Sequence, residues 1–167
     1  MKQLLLFIAI IATITCTAQT KPPTLAKLVQ LYTDTNTDAI NNYAHQLGFT
    51  GEPFGFSEVG NTYDYHHHTF SSKDTIAKLH TSLSYTWGQH GIHIPYSLIN
   101  LSYGTNSQAE FDALVAEIRT MGATTEDYGK PLPGNYYFKY KNVTVSACTN
   151  LVNVSGVKYS ITIGGSY

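Results

Sequence analysis

A shift of 74 positions lays residues 31–93 over 105–167 without a gap, and the same kinds of residue fall in the same places. Asp38-Ala39-Ile40 meets Asp112-Ala113-Leu114, and Leu47-Gly48-Phe49-Thr50 meets Met121-Gly122-Ala123-Thr124. Gly60-Asn61-Thr62-Tyr63 meets Gly134-Asn135-Tyr136-Tyr137, and Tyr85 meets Tyr159. Thirteen of the 63 pairs are identical, where average residue usage gives roughly four. A unit that occurs twice constrains the chain more than any single motif, because both copies must form the same elements in the same order and can bury their apolar faces together.

Each copy opens on helical periodicity. In the second, Phe111, Leu114, Val115, Ile118 and Met121 recur at three- and four-residue spacing. Ser107 and Glu110 have the spacing of a capping box, and Gly122 is the stop. In the first, Ile40, Tyr43, Ala44 and Leu47 form the apolar face, ending at Gly48, and a shorter helix over Leu25 to Tyr32 precedes it. Alternating stretches follow: Thr62 to Phe70 and Lys78 to Trp87 in the first copy, Tyr136 to Ala147 and Val157 to Ile163 in the second. Tyr96 to Tyr103 is a further strand without a counterpart at the C-terminus. The order α, α, β, β, β, α, β, β predicts an α+β fold: two tandem repeats of a helix followed by antiparallel strands. The helices pack on one face of the sheet, and the other face is left for solvent or a partner.

The repeats divide the chain into a first unit over 19–104 and a second over 105–167, together one compact globule. Residues 1–18 read as a signal peptide. Lys2 gives the positive start, Leu4 through Ile14 an apolar run too short for a bilayer span, and Thr13 to Ala18 the small residues of a cleavage site. The expected address is therefore periplasmic or secreted. Lipidation at Cys16 is the alternative, but Thr13-Ile14-Thr15 lacks the leucine expected three positions upstream. Cleavage after Ala18 leaves Cys148 as the only cysteine, so no disulfide can form within the chain. With 13% charged residues and a formal net charge of -1, there is no basic stripe for nucleic acid.

Equivalent residues of the two copies should point the same way, which assigns the faces of the sheet. Tyr63, Tyr65 and His67 match Tyr137, Lys139 and Lys141, and the lysines mark that row as the wet face. The alternate row, Tyr136, Phe138 and Tyr140, is then covered by helix, and its matches are Thr62, Asp64 and His66, followed by His68 and Phe70. Asp64, His66 and His68 thus fall where polar groups need partners. Two imidazoles from one strand face, with Asp64 beside them and His90 or His93 brought back by the segment Gly88-Gln89-His90-Gly91, would suit a borderline metal such as zinc. Cys148 shares a strand face with Thr144 and Ser146 and carries no nucleophile signature. The chain has no Gly-x-Ser-x-Gly, no phosphate-binding glycine loop and no Cys-x-x-Cys, so an enzymatic role is not expected.

The run from Tyr96 to Tyr103, a small polar turn, and the helix Phe111-Asp112-Ala113-Leu114-Val115-Ala116-Glu117-Ile118-Arg119-Thr120-Met121-Gly122 resemble small exported proteins of the Bacteroidota, as does the Ala18-Gln19 junction. That resemblance implies a fold and no activity. The tandem plan of a helix pair followed by an antiparallel sheet is also similar to that of the β-lactamase inhibitory proteins. In layout alone it implies binding through an aromatic-rich concave sheet; their paired cysteines are not matched here. Tyr63, Tyr65, Tyr137 and Tyr103 are expected on such a face, and tyrosine buries much area at small entropic cost. The leading expectation is an exported inhibitor- or immunity-like module that binds a partner protein through Tyr63, Tyr65, His67, Tyr137 and Lys139. The alternatives are a metal-binding protein using Asp64, His66, His68, His90 and His93, and a small hydrolase. No cofactor is required by the first reading.

Overall fold

The computed structural model describes residues 21–49, 53–60, 63–74, 79–91, 95–125, 135–149 and 157–165. The leader and its cleavage site, like His93, lie outside these residues. Helices α1 (Leu25–Asp34) and α2 (Thr37–Gln46) come first, and α3 (Gln108–Thr120) follows the fourth strand. The strands are β1 (Phe54–Val59), β2 (Tyr63–Asp74), β3 (Leu79–His90), β4 (Ser97–Thr105), β5 (Thr124–Thr125), β6 (Asn135–Tyr140), β7 (Val143–Thr149) and β8 (Tyr159–Gly165). They form one antiparallel sheet in the order β1-β2-β3-β4-β8-β7-β6-β5. The expected α+β architecture is what the chain adopts.

All three described helices begin on a side-chain cap that satisfies an otherwise unpaired amide of the first turn. Thr24 accepts from the Lys27 amide, Asn36 from Ala39 and Ser107 from Glu110. The capping box at α3 forms only by half. The Ser107 amide donates to Thr105 Oγ1 at 3.0 Å, and the Glu110 carboxylate instead accepts from Thr105 Oγ1 at 2.8 Å and from the Tyr103 hydroxyl at 3.1 Å. Tyr103 is therefore buried on the helix side, not on the open face where it was expected. Burial and the neighbouring Glu110 carboxylate both raise its phenol above the ordinary range, burial being the larger effect.

The core is a row of register partners running across the sheet: Tyr85, Leu101, Ile163, Val145 and Phe138. Each is almost wholly buried. Leu28 of α1, Ile40 of α2 and Ile118 of α3 join them in the same core. Helix α1 lies over β4 and β8, the two strands at which the halves of the sheet meet.

Two four-stranded meanders, each behind a helix, are the duplication in three dimensions. The gapless shift follows it only in part. It matches α2 to α3 and the start of β2 to the start of β6, but then sets β3 on β8. By strand order β3 corresponds to β7 and β4 to β8, so Tyr96 to Tyr103 does have a counterpart. The two units drift apart because β2 and β3 are 12 residues each, against 6 and 7 for β6 and β7. The expected single strand over Tyr136 to Ala147 is in fact the β6–β7 hairpin. It turns at Lys141-Asn142, where Lys141 takes a left-handed φ of 55°. Lys141 therefore leaves the sheet row to which it was assigned and lies over the Tyr140 ring.

Candidate functional site: the sheet face opposite the helices and its β1–β3 end

Register partners share a face, so one row of pairs traces the surface opposite the helices. His67, Thr86, Asn100, Gly164, Thr144 and Lys139 follow one another across six strands. The next row runs Thr69, Ser84, Ser102, Thr162, Ser146 and Tyr137. The floor between the rims is mostly small hydroxyl-bearing side chains, and Ser102 and Thr162 hydrogen-bond each other at 2.9 Å. One corner is filled: Val157 is buried against Gly104, where a Cβ would come within 2.7 Å of it.

The five residues expected to bind thus lie on one face, but not in one patch. Tyr63, Tyr65 and His67 stand on β2. Tyr137 and Lys139 stand on β6, five strand spacings away, roughly 24 Å.

At the β1–β3 end the rings touch in series. Phe54 contacts Phe56, and Phe56 stacks on His67 with centroids 4.4 Å apart. His67 meets Tyr65 edge-on; Tyr65 stacks on Tyr63 at 5.2 Å and on His90 at 6.3 Å. Polar contacts fix the rings. The Tyr65 hydroxyl pairs with His90 Nδ1 at 2.7 Å, and His67 Nδ1 pairs with Thr86 Oγ1 at 3.1 Å. Glu58 holds the outer rim, accepting from the Tyr63 hydroxyl at 3.5 Å, with its other oxygen 3.6 Å from His67 Nε2.

Two glycines make room for the tyrosines. A Cβ on Gly88, the register partner of Tyr65, would come 2.8 Å from the Tyr65 ring, and one on Gly60 would collide with the Tyr63 ring. Phe54 and Phe56 were not anticipated. Strand β1 is exposed along its whole length, so it carries no apolar-in, polar-out alternation for a sequence pattern to detect. Phe54 is 74% exposed and Phe56 56%, unusual values for phenylalanine in a folded chain.

The residues expected to hold a metal divide between the two faces. Asp64, His66 and His68 lie with Phe70 on the helix side, as expected from strand parity. His68 stacks on Tyr85 at 4.8 Å, and burial, with smaller contributions from His66 and His67, lowers its pKa from the ordinary histidine value. Asp64 and His66 are 3.4 Å apart. His90 is the register partner of Tyr63 and belongs to the opposite face. Among the described residues no three His, Cys, Asp or Glu side chains are grouped as an ion would need, because alternate strand positions send His90 away from His66 and His68. Cys148 is half-buried on the face opposite the helices, and burial raises its thiol pKa, the opposite of what an activated thiolate needs.

No helix among the described residues is long and apolar enough to cross a membrane. Comparison of the chain with protein-family models, with curated proteins and with solved structures finds no match.

Proposed function

We propose that this chain is an exported protein-binding module, of inhibitor or immunity type, whose sheet face opposite the helices seats a partner protein at its β1–β3 end. The observation that carries the reading is the series of ring contacts from Phe54 through Phe56, His67 and Tyr65 to Tyr63, ending in two phenylalanines that are mostly exposed. Large apolar groups left in water beside pre-positioned tyrosines are the ingredients of an interface hot spot, where rigid aromatic side chains are buried at small entropic cost. The floor of serines and threonines supplies hydrogen-bonding groups without charge, which suits a polar surround to that anchor. Tyr137 and Lys139 form the opposite rim and would contribute only to a partner wide enough to span the sheet.

Affinity capture from periplasmic extract, with bound proteins identified by mass spectrometry, tests the reading. A partner retained by the native chain should be lost from the Phe56→Ala/Tyr63→Ala/Tyr65→Ala variant and kept by Tyr137→Ala. If every captured protein stays bound to the triple variant, the β1–β3 end is not the binding surface.

A further inference from the structure

The side of β1 and β2 that faces away from the aromatic row carries a second constellation. Ser57 and His66 are register partners on adjacent strands, and cross-strand partners bring their side chains within reach of each other. Ser57 Oγ lies 2.9 Å from His66 Nδ1. Asp64, two residues before His66 and on the same face, places Oδ1 3.4 Å from His66 Nε2. The hydroxyl of Tyr96, just ahead of β4, donates to the other Asp64 oxygen, and the Tyr96 ring stacks on the His66 ring at 6.2 Å. For the Ser57 hydroxyl to donate to Nδ1, the imidazole proton must sit on Nε2, where Asp64 faces it. Asp64 Oδ1 accepts no hydrogen bond from the ring, so the carboxylate acts through its charge beside Nε2, and Tyr96 holds the carboxylate in place.

The geometry points to Ser57 as a nucleophile activated by His66, with Asp64 and Tyr96 as positioning residues, in an acyl-transfer site that takes small esters. A serine hydroxyl bonded to an imidazole that has a carboxylate beside its other nitrogen is an arrangement that makes a weak nucleophile more reactive. Ser57 Oγ would form a bond to the ester carbonyl carbon while its proton passes to His66 Nδ1, giving an imidazolium opposite Asp64. As the bond from that carbon to the leaving oxygen breaks, the leaving alcohol or phenol takes the proton from Nδ1. Water, deprotonated by His66, then releases the acid from acyl-Ser57 and restores the starting state. Ser57 is exposed and the His66 side chain is 39% exposed, so the site is open to solvent. The fitting substrates are accordingly small esters with a good leaving group. This site lies on the face opposite the proposed protein-binding surface and stands independently of it.

Incubation of the full chain with p-nitrophenyl acetate, followed by site-resolved mass spectrometry at early times, provides the test. Ser57 is expected to be acetylated faster than Ser71, an exposed serine on β2. His66→Gln should slow the reaction at Ser57 by about tenfold or more, and Asp64→Asn by less. Acetylation of Ser57 should be slower in deuterium oxide than in water, as general-base removal of its proton requires, and His66→Gln should remove that difference, a readout that loss of packing alone would not move. Melting by circular dichroism establishes that each variant is folded. If Ser57 is acetylated no faster than Ser71, or as fast in folded His66→Gln as in the native chain, the proposal is wrong.

Discussion

His68 illustrates how a single position ties local packing to a pH response. Its ring stacks on Tyr85, whose hydroxyl donates to Asn41 of α2 at 3.1 Å, so the imidazole is part of the contact between the sheet and a helix. Burial, followed by the neighbouring His66 and His67, disfavours its protonated form and lowers its pKa from 6.5. Between that lowered value and the ordinary one, the unfolded chain binds more protons than the folded chain, so stability rises with pH. The contribution of His68 is fully present above the unfolded value and is lost as pH falls through the folded one. The urea midpoint is expected to drop on acidification from about pH 7 to about pH 5, and to drop less in His68→Phe. Equal drops in the two proteins would show that His68 is not the titrating group. Strand parity with Phe70 makes the face of His68 legible in the sequence. The ring on which it rests is not, because register between β2 and β3 is set by the pairing of two strands and is not contained in either one.

At the scale of elements, the helix periodicities could be read directly, and all three helices form where the apolar spacing puts them. What the spacing does not contain is how a helix end is satisfied at long range. The carboxylate of Glu117, on α3, accepts from the Leu25 amide at 2.8 Å and the Ala26 amide at 3.0 Å, the first two residues of α1. A carboxylate at a helix N-terminus satisfies otherwise unpaired donors and opposes the positive end of the helix dipole. Hydrogen bonds to charged groups contribute about 1.5–3 kcal/mol each in favourable settings, and the exposure of Ala26 reduces the second. Glu117→Ala is therefore expected to lower stability by about 1–3 kcal/mol, and Glu117→Gln by less, since the amide keeps one acceptor. Chemical denaturation checks both, and no change in Glu117→Ala would mean that water replaces the carboxylate without cost. The β6–β7 hairpin was illegible for a different reason. Tyr136 to Ala147 alternates on both sides of the turn, and a lysine at a left-handed φ gives no glycine or proline signal where the chain reverses.

For the whole molecule, the duplication poses the question of whether the halves are separable. The strand order gives each unit its own meander, yet the seam between them is deeply buried. Leu101 of β4 and Ile163 of β8 are register partners, and neither has accessible surface. Helix α1 begins the first unit but packs on both β4 and β8, and its N-terminus is held by the second unit's helix. Neither half can be exposed without uncovering the apolar face of the other, so unfolding should be a single transition. Trp87, the only tryptophan, lies on β3 in the first unit, whereas far-ultraviolet circular dichroism reports on both halves. The two probes are expected to give the same urea midpoint in the native chain. Ile163→Ala deletes a fully buried side chain from the second unit and should destabilise by about 2–5 kcal/mol. Because the seam is shared, Trp87 fluorescence should move to the lower midpoint in step with the circular dichroism. If Ile163→Ala shifted the circular dichroism and left the Trp87 transition in place, the two repeats would be independent folding units in contact. A partner spanning both rims would then meet two bodies free to move against each other, whereas a shared seam fixes the spacing between Tyr65 on β2 and Tyr137 on β6 before any partner arrives.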